Sequence, residues 1–250
     1  MILTVVQARM GSTRFPGKSM ADLWGMPMVR RVCRRAADIT GDMAGTILAV
    51  PNTEDGVAWP WEPLCYGNPT DLLARFWACT QAYRHLGRSL SHIIRITGDC
   101  PLLDVGVALA VVETALRGPW DIVHTTSLMD GLDVEVFTIS ALARANRGAT
   151  TPEDREHVTP WMRKNLSAKE FGLPELGQIH WSVDEPKDLE FVRAVYAACE
   201  HCLAGVPHHT NSATSIGGNG HRRLILDLHH LERGDLIECT AVDILRGRIG

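Results

Sequence analysis

Short apolar runs alternate with amphipathic segments over the first 200 residues of the chain. Runs rich in β-branched residues, as expected for buried strands, occur at 2–6, 46–50, 91–97, 121–125, 134–138 and 178–183. Apolar residues at three- and four-residue steps predict helices that begin near 25, 71, 105, 151 and 186. The fourth helix is predicted to run to about Asn165, with a kink at Pro160. Alternation of strands and helices favours an α/β domain, and we expect a mostly parallel, mixed sheet sandwiched by helices.

The pattern changes after residue 206. Residues 207–221 are polar and rich in glycine, serine and histidine, with little to bury, which predicts a flexible linker. The 29 residues at 222–250 include short apolar runs but are too few to hold a core of their own. We therefore expect a main domain at 1–206, a linker at 207–221 and a small C-terminal appendage at 222–250.

Composition narrows the classes of partner. The 250 residues carry a formal net charge of −4, so a broad basic face for nucleic acid is not expected. The apolar runs are shorter than a membrane span, and the first strand begins without a basic region and apolar segment of the secretory kind. We expect a cytoplasmic protein with neither nucleic acid nor a membrane as partner.

Seven cysteines, an odd number, do not suggest a secreted disulfide framework. Cys199 and Cys202 form a CxxC pair followed by two histidines, which raises the possibility of zinc. Both thiols, however, fall at positions that continue the apolar face of the helix that begins at 186. This periodicity favours core cysteines over metal ligands.

A glycine-containing basic loop follows the first strand. The segment QARMGSTRFPGK, residues 7–18, combines two glycines, two arginines, a lysine and small hydroxyl residues. Such a loop at the end of a strand can turn backbone N–H groups and cations toward one phosphate. Its spacing matches neither the P-loop nor GxGxxG, and a basic surface turn is the alternative interpretation.

Two carboxylates stand where other strands end. Asp99 follows the 91–97 strand within GDCP and has no visible capping role, whereas Asp104 is placed to cap the next helix. In an open parallel sheet, ligands sit at the carboxyl ends of the strands. A cationic loop that faces Asp99 there would suit a nucleoside triphosphate held through Mg²⁺. Asp184 also follows a strand, but an acid before a helix is an ordinary complement to the helix dipole.

Five segments in this order resemble one known family: QARMGSTRFPGK, RITGDCPLLD, DGLDVEVF, REHVTP and WSVDEPKDLEFVRAVY. They closely resemble the spore-coat-polysaccharide F-type cytidylyltransferases, relatives of the acylneuraminate and ketodeoxyoctonate cytidylyltransferases, over about residues 1–200. The resemblance implies a nucleotidyltransferase fold of the glycosyltransferase-A kind. It also implies a homodimer that transfers CMP from CTP to a sugar, best an acidic one such as a nonulosonic acid, and releases pyrophosphate.

The resemblance also assigns roles to individual residues. It makes Arg9 and Lys18 triphosphate ligands, and with Asp99 these two are the expected catalytic residues. The remaining assignments are Ser12 and Arg14 beside the triphosphate, Ala8 and Gly11 as backbone near the nucleotide, Gly67 and Asp71 near the base and ribose, Asp99 and Asp184 as Mg²⁺ ligands, and Asp133, Glu135, Glu156 and His157 on the acceptor side.

Two parts of the chain depart from the family pattern. The stretch 52–63 is shorter and richer in tryptophan and proline, which leaves base specificity open. The segment 222–250 lies outside the match and weakly resembles part of the antifreeze-like domain of sialic acid synthases. Alternatives are a nucleotidyltransferase for another base, a glycosyltransferase of the same fold, or a non-catalytic nucleotide-binding scaffold. The metal carboxylates argue against the scaffold, which has no need of them.

Overall fold

The structure is a computed structural model that describes residues 1–41, 43, 45–172 and 178–198. The strands are β1 (Ile2–Gln7), β2 (Thr46–Pro51), β3 (Leu64–Gly67), β4 (His92–Thr97), β5 (Ile122–Thr125), β6 (Met129–Asp130), β7 (Glu135–Thr138), β8 (Ala168–Phe171) and β9 (Ile179–His180). The helices are α1 (Met28–Thr40), α2 (Leu72–His85), α3 (Val105–Arg117), α4 (Ile139–Gly148), α5 (Pro152–His157), α6 (Pro160–Asn165) and α7 (Pro186–Ala198). The predicted linker, the appendage and the Cys199–Cys202 pair lie outside the described residues.

Seven strands form one sheet in the order β3-β2-β1-β4-β7-β5-β8. The pairs on the β3 side of β4 are parallel, and so is β5 with β8, whereas β7 runs antiparallel to both β4 and β5. The expected α/β fold with a mostly parallel, mixed sheet is therefore confirmed. Strands β6 and β9 form a separate parallel pair.

Helices cover both faces of the sheet because β1 and β4 carry apolar residues that alternate between the two faces. In β4, Ile94 and Ile96 pack with α1 and α3, whereas Ile93 packs on the other face with α2 and α4. Helix α7 forms a third cluster with Leu23, Met28 and Leu102. In the part of the chain described, no helix combines the length and apolarity needed to cross a membrane.

The ends of β1 and β4 lie close together, and this approach requires a glycine. The two strands pair in parallel register from Ile2 with His92 to Gln7 with Thr97. The next residue, Gly98, donates its N–H to the Gln7 carbonyl at 2.8 Å, and a Cβ at Gly98 would lie 2.6 Å from that oxygen. Glycine therefore allows the loops after β1 and β4 to lie side by side.

Two predicted elements differ from those observed. The helix expected at 151–165 is two helices, because Val158 has φ 71° and ψ −54° and Thr159 donates its N–H to the His157 carbonyl at 2.8 Å. Pro160, which has no N–H, opens α6 as a new helix at its first position instead of kinking a continuous one. The strand expected at 178–183 pairs over Ile179–His180 alone within the described residues.

The contact between Gly98 and Gln7 predicts a difference between two glycine-to-alanine variants. Gly98→Ala should lower the free energy of unfolding by about 1–3 kcal/mol, because the new methyl group must displace backbone. Gly11→Ala is the matched control, since a Cβ there meets nothing within 4 Å. Urea unfolding measures both, and equal stability of the two variants would contradict this steric account.

Candidate active site

The loop between β1 and α1 is folded back on itself by backbone and side-chain hydrogen bonds. The Met10 carbonyl accepts from the N–H groups of Ser12 at 3.0 Å and Gly17 at 2.9 Å, and Gly17 adopts φ 74°, which favours glycine. Glu54 fixes the other side, where its Oε1 accepts from the Met10 N–H at 2.9 Å. The loop thus holds Lys18, the first residue of a short 3₁₀ turn, in a defined place.

Asp99 and Asp184 are brought together across the end of the sheet. The Val183 N–H donates to the Asp99 carbonyl at 2.8 Å, which fixes the backbone before α7 against the β4 end. Asp188 caps α7 by accepting from the N–H groups of Asp184 at 3.0 Å and Glu185 at 2.7 Å. Because Asp188 performs the capping, the Asp184 carboxylate faces other partners.

Lys18 joins the two carboxylates. Its Nζ donates to Asp99 Oδ2 at 2.8 Å, to Asp184 Oδ1 at 3.1 Å and to the Val183 carbonyl at 2.6 Å. Burial lowers the pKa of Lys18, but the combined effect of Asp99 and Asp184 outweighs it and the net pKa is raised. Burial likewise raises the pKa of Asp184, and Lys18 with Arg14 reverses this to a lowered pKa. The cluster therefore places one buried ammonium between the carboxyl groups of Asp99 and Asp184.

A cavity of about 380 Å³ opens beside this cluster at the carboxyl ends of β1 and β4. Nine of the residues that the sequence assigned to the site line it: Ala8, Arg9, Ser12, Arg14, Lys18, Asp99, Glu156, His157 and Asp184. Arg14 reaches Asp184 at 2.9 Å while 62% of its side chain stays exposed. The predicted cationic loop and the predicted carboxylates thus meet at one cavity, as expected for strand ends in a parallel sheet.

Glu156 and His157 reach the cavity from the opposite helical layer. Arg155 anchors α5, since its Nε donates to Asp71 Oδ2 at 2.8 Å and its Nη1 donates to the Asn146 carbonyl at 3.0 Å. Glu156 lies 3.9 Å from Arg9, and both side chains are more than half exposed. This pair spans the mouth of the cavity between the basic loop and α5.

Five other residues assigned to the site are not among the described residues that line the cavity: Gly11, Gly67, Asp71, Asp133 and Glu135. Asp71 caps α2 by accepting from the Ala74 N–H at 2.8 Å, and its other oxygen binds Arg155. Gly67 packs so closely on Arg75 that a Cβ would lie 2.7 Å from its Cγ. These two positions shape the turn before α2, whose Pro69 and Thr70 do line the cavity.

Glu135 is buried behind the cavity instead of facing it. Its carboxylate accepts hydrogen bonds from Arg95, Arg163 and the Thr159 hydroxyl, the last at 2.7 Å. Burial raises the pKa of Glu135, but the two guanidinium groups dominate and lower it to about 2. Arg95 lines the cavity, so Glu135 acts on the site by orienting a residue that does.

Further acids lie next to Asp184. Asp130, His180 and Asp184 offer ligand atoms that all lie within 4.8 Å of one another, and His180 Nδ1 is 2.6 Å from Asp130 Oδ2. Asp133 accepts from the Gly131 N–H at 2.9 Å, and burial with the nearby Asp130 and Glu135 raises the pKa of Asp133 to about 6. Asp130, Asp133 and Asp184 form the acidic side of the site, and Lys18 and Arg14 of the basic loop contact it at Asp184.

The donor set fits a hard divalent cation. Asp99 and Asp184 point carboxylate oxygens at the same ammonium, so both oxygens are already arranged around one positive centre. Carboxylate oxygens are the protein ligands that Mg²⁺ prefers. Asp99 and Asp184 are therefore the residues that would hold such a cation, with Asp130 and His180 beside them.

Comparison with known proteins identifies the family. A family model described as Cytidylyltransferase matches residues 3–49 and 68–198. The chain belongs to this cytidylyltransferase family. Residues 50–67, which include the stretch 52–63, lie outside the match. The prediction that the chain is a nucleotidyltransferase of the cytidylyltransferase class is thereby confirmed.

Two relatives bear out the resemblance to sugar cytidylyltransferases. The chain is 35% identical over 171 residues to the 3-deoxy-manno-octulosonate cytidylyltransferase of Rhodospirillum rubrum, covering 66% of this chain and 65% of that protein. It is 28% identical over 218 residues to the spore coat polysaccharide biosynthesis protein SpsF of Bacillus subtilis, covering 78% of this chain and 86% of that one.

Solved structures bear out the fold. A cytidylyltransferase from Leptospira borgpetersenii superposes with a TM-score of 0.69 at 21% identity, over 84% of this chain and 98% of that one. A CMP:2-keto-3-deoxy-manno-octonic acid synthetase complexed with CTP gives a TM-score of 0.58 at 17% identity, over 78% and 98%. The predicted nucleotidyltransferase fold of the glycosyltransferase-A kind is confirmed.

Sequence reasoning overlooked several residues of this cytidylyltransferase site. Arg95 and Thr97 line the cavity, and their alternation with the buried Ile94 and Ile96 in β4 was a usable signal. Arg75 also lines the cavity. Its side chain is buried, and its guanidinium group donates to the Asn68 carbonyl at 2.6 Å. An arginine within an amphipathic helix carries no such signal, because its partner lies in a preceding turn.

The buried Glu135 predicts a pH-dependent contribution to stability. Its pKa of about 2 lies below the ordinary 4.5, so its stabilisation is complete above pH 4.5 and lost as pH falls through about 2. Glu135→Gln leaves Arg95 and Arg163 without their counter-charge and should cost roughly 3–5 kcal/mol near pH 7. The difference from the unsubstituted protein should shrink below pH 4.5, as measured by urea unfolding.

The control for this experiment is Glu153→Gln, which changes an exposed carboxylate on α5 and should leave stability nearly unchanged. If Glu135→Gln lowers the free energy of unfolding by the same amount from pH 7 to pH 3, the carboxylate stabilises the fold through packing and not through its charge.

Proposed function

We propose that the chain transfers CMP from CTP to the hydroxyl of an acidic sugar, releases pyrophosphate and depends on Mg²⁺. The observation that carries the proposal is the meeting of Lys18, Asp99 and Asp184 at one cavity with Arg9 and Arg14. Such a site offers cations to a polyphosphate and carboxylates to a divalent cation. Family membership supports the cytidylyl group, and the relatives named for an octulosonic acid support an acidic sugar as acceptor.

The chemistry needs no protein nucleophile. The acceptor hydroxyl attacks the α-phosphorus in line and releases its proton to solvent, the bond between the α-phosphorus and the oxygen that bridges it to the β-phosphate breaks, and pyrophosphate leaves. Lys18 and Arg9 bind the phosphates that become the leaving group, so they stabilise negative charge as it grows. When bound to Asp99 and Asp184, Mg²⁺ would supply Lewis-acid stabilisation of the transferring phosphoryl oxygens. The basic loop and the acidic side thus have complementary roles.

The acceptor is proposed to enter between α5 and the end of β4. Glu156 and His157 line this part of the cavity and provide hydrogen-bonding groups for a sugar. Arg95, oriented by Glu135 and by Gln7, whose Oε1 accepts from Arg95 Nε at 2.8 Å, adds a fixed cation on the cavity wall. A carboxylated acceptor suits this cation better than a neutral sugar does.

Pyrophosphate release from each of the four nucleoside triphosphates, with a panel of sugar acids and their neutral analogues, tests the proposal. Release from CTP that requires a sugar acid is the expected result. Release from another triphosphate alone would reject the cytidylyl assignment. Transfer from a sugar nucleotide without pyrophosphate would point to a glycosyltransferase.

The carboxylate roles predict the effect of isosteric substitutions. Asp99→Asn or Asp184→Asn should lower kcat at least about a hundredfold, the scale of losing one preorganised electrostatic partner. Ser182→Ala is the control, because its hydroxyl contacts Asp184 at 3.5 Å from outside the cavity lining. Pyrophosphate release over time measures kcat. An unchanged kcat in either asparagine variant would reject that residue as a metal ligand.

We also propose that the chain forms a homodimer and acts in the cytoplasm. The resemblance to a dimeric family supports it, and the apolar positions of residues 222–250 need a surface to cover them. Light scattering of the full chain measures the molar mass, and a monomer at micromolar concentration would reject the dimer.

A further inference from the structure

The ammonium of Lys18 lies where the two proposed metal carboxylates converge. Nζ is within hydrogen-bond distance of Asp99 Oδ2, Asp184 Oδ1 and the Val183 carbonyl, so its three donors have three partners. The side chain is 11% exposed, while those of Asp99 and Asp184 are 28% and 22% exposed. Lys18 is therefore the near-buried counter-ion of this carboxylate pair.

A divalent cation and the ammonium would draw on the same two carboxylates. A carboxylate pair that already compensates one positive charge at 2.8 and 3.1 Å attracts a second cation less strongly than a bare pair does. Crowding an ammonium beside a divalent cation would add repulsion at short range. The ammonium and a divalent cation therefore cannot both bind Asp99 and Asp184 at full strength.

We propose that Lys18 is an internal competitor of the divalent cation, and that it leaves Asp99 and Asp184 for the phosphates of the nucleotide before the cation binds both carboxylates. This inference rests on the proposed function for the destination of Lys18. It makes nucleotide and cation binding mutually supportive, because each favours the arrangement with Lys18 away from the carboxylates. It also predicts weak cation binding to the nucleotide-free protein.

The local structure allows this exchange. Lysine carries its point charge on a four-carbon stem with rotatable donors, so Nζ can move while the loop backbone stays fixed. Lys18, Asp99, Asp184 and the cationic Arg9 and Arg14 line the same cavity, so an anion bound by the arginines lies within the space that the ammonium faces. Arg14, which also contacts Asp184, is too exposed to compensate the pair as strongly.

The test is Mn²⁺ binding to the nucleotide-free full chain, with free Mn²⁺ measured by electron paramagnetic resonance. Lys18→Met should bind Mn²⁺ at least about tenfold more tightly than the unsubstituted protein, since it leaves two carboxylates without their counter-ion. Lys187→Met is the matched control. It removes the same charge three residues from Asp184, but Lys187 contacts Glu185 and is 76% exposed. Its affinity should stay within about twofold.

Equal Mn²⁺ affinities of Lys18→Met and the unsubstituted protein would overturn the proposal. An equal increase in Mn²⁺ affinity in Lys18→Met and Lys187→Met would also overturn it, because that increase would come from the change in net charge and not from competition at the carboxylates. Neither measurement uses CTP or an acceptor. The outcome therefore stands apart from the pyrophosphate assay, whose failure would reject the proposed function and leave the competition intact.

A second experiment uses the unsubstituted protein, in case Lys18→Met does not fold. Reductive methylation of lysines, followed by peptide mass spectrometry, reports how accessible each amine is. Mg²⁺ raised to a concentration that saturates the cation site of the nucleotide-free protein, as judged by displacement of bound Mn²⁺, should increase the labelling rate of Lys18 severalfold by displacing it from Asp99 and Asp184, while Lys164 and Lys187 serve as internal references. A Lys18 labelling rate that stays constant at saturating Mg²⁺ would overturn the proposal.

Discussion

The parallel pairing of β1 with β4 is the constraint on which the site depends. Both strands end at the same edge, and the contact of Gly98 with Gln7 leaves no room for a side chain between the loops that follow. One loop carries Lys18 and the other carries Asp99, so a cation and a carboxylate far apart in sequence become hydrogen-bonded neighbours. A shift of register by one residue would move the ends of β1 and β4 relative to each other and turn the core residues of the shifted strand to the opposite face.

A second constraint is the antiparallel strand β7, which inserts between β4 and β5. Its first residue, Glu135, lies opposite Arg95 of β4 in the sheet and binds Thr159, which precedes α6, and Arg163 in the last turn of α6. The break between α5 and α6 at Val158 lets His157 face the cavity while Thr159 turns to Glu135. The part of the cavity beside α5 is thereby built on a buried ionic network, whereas the part that holds Lys18 is built on a loop.

The sequence was sufficient for features that depend on neighbours along the chain. Hydrophobic runs and caps such as Asp104, which accepts from the Val107 N–H at 2.8 Å, predicted most strands and helices. The residue pattern also singled out the basic loop and Asp99, and the resemblance then added Asp184 and the roles of the individual loop residues. Short strands such as β3, β6 and β8 escaped prediction because their pairing partners, and not their own composition, make them strands. The burial of Glu135 was unreadable for the same reason, since its arginine partners come from two other elements.

Glu135 also has a consequence for how such a site can diversify. Its carboxylate accepts hydrogen bonds both from Arg95, which lines the cavity, and from Arg163 of α6. Replacement of Arg95 removes one of the two guanidinium groups that pair with Glu135, so the effect of that replacement on stability depends on whether Arg163 is still present. Substitutions on these two elements should be strongly epistatic. A variant library that reshapes this wall of the cavity would randomise Arg95, Glu135 and Arg163 together, because the residue tolerated at each position depends on the other two.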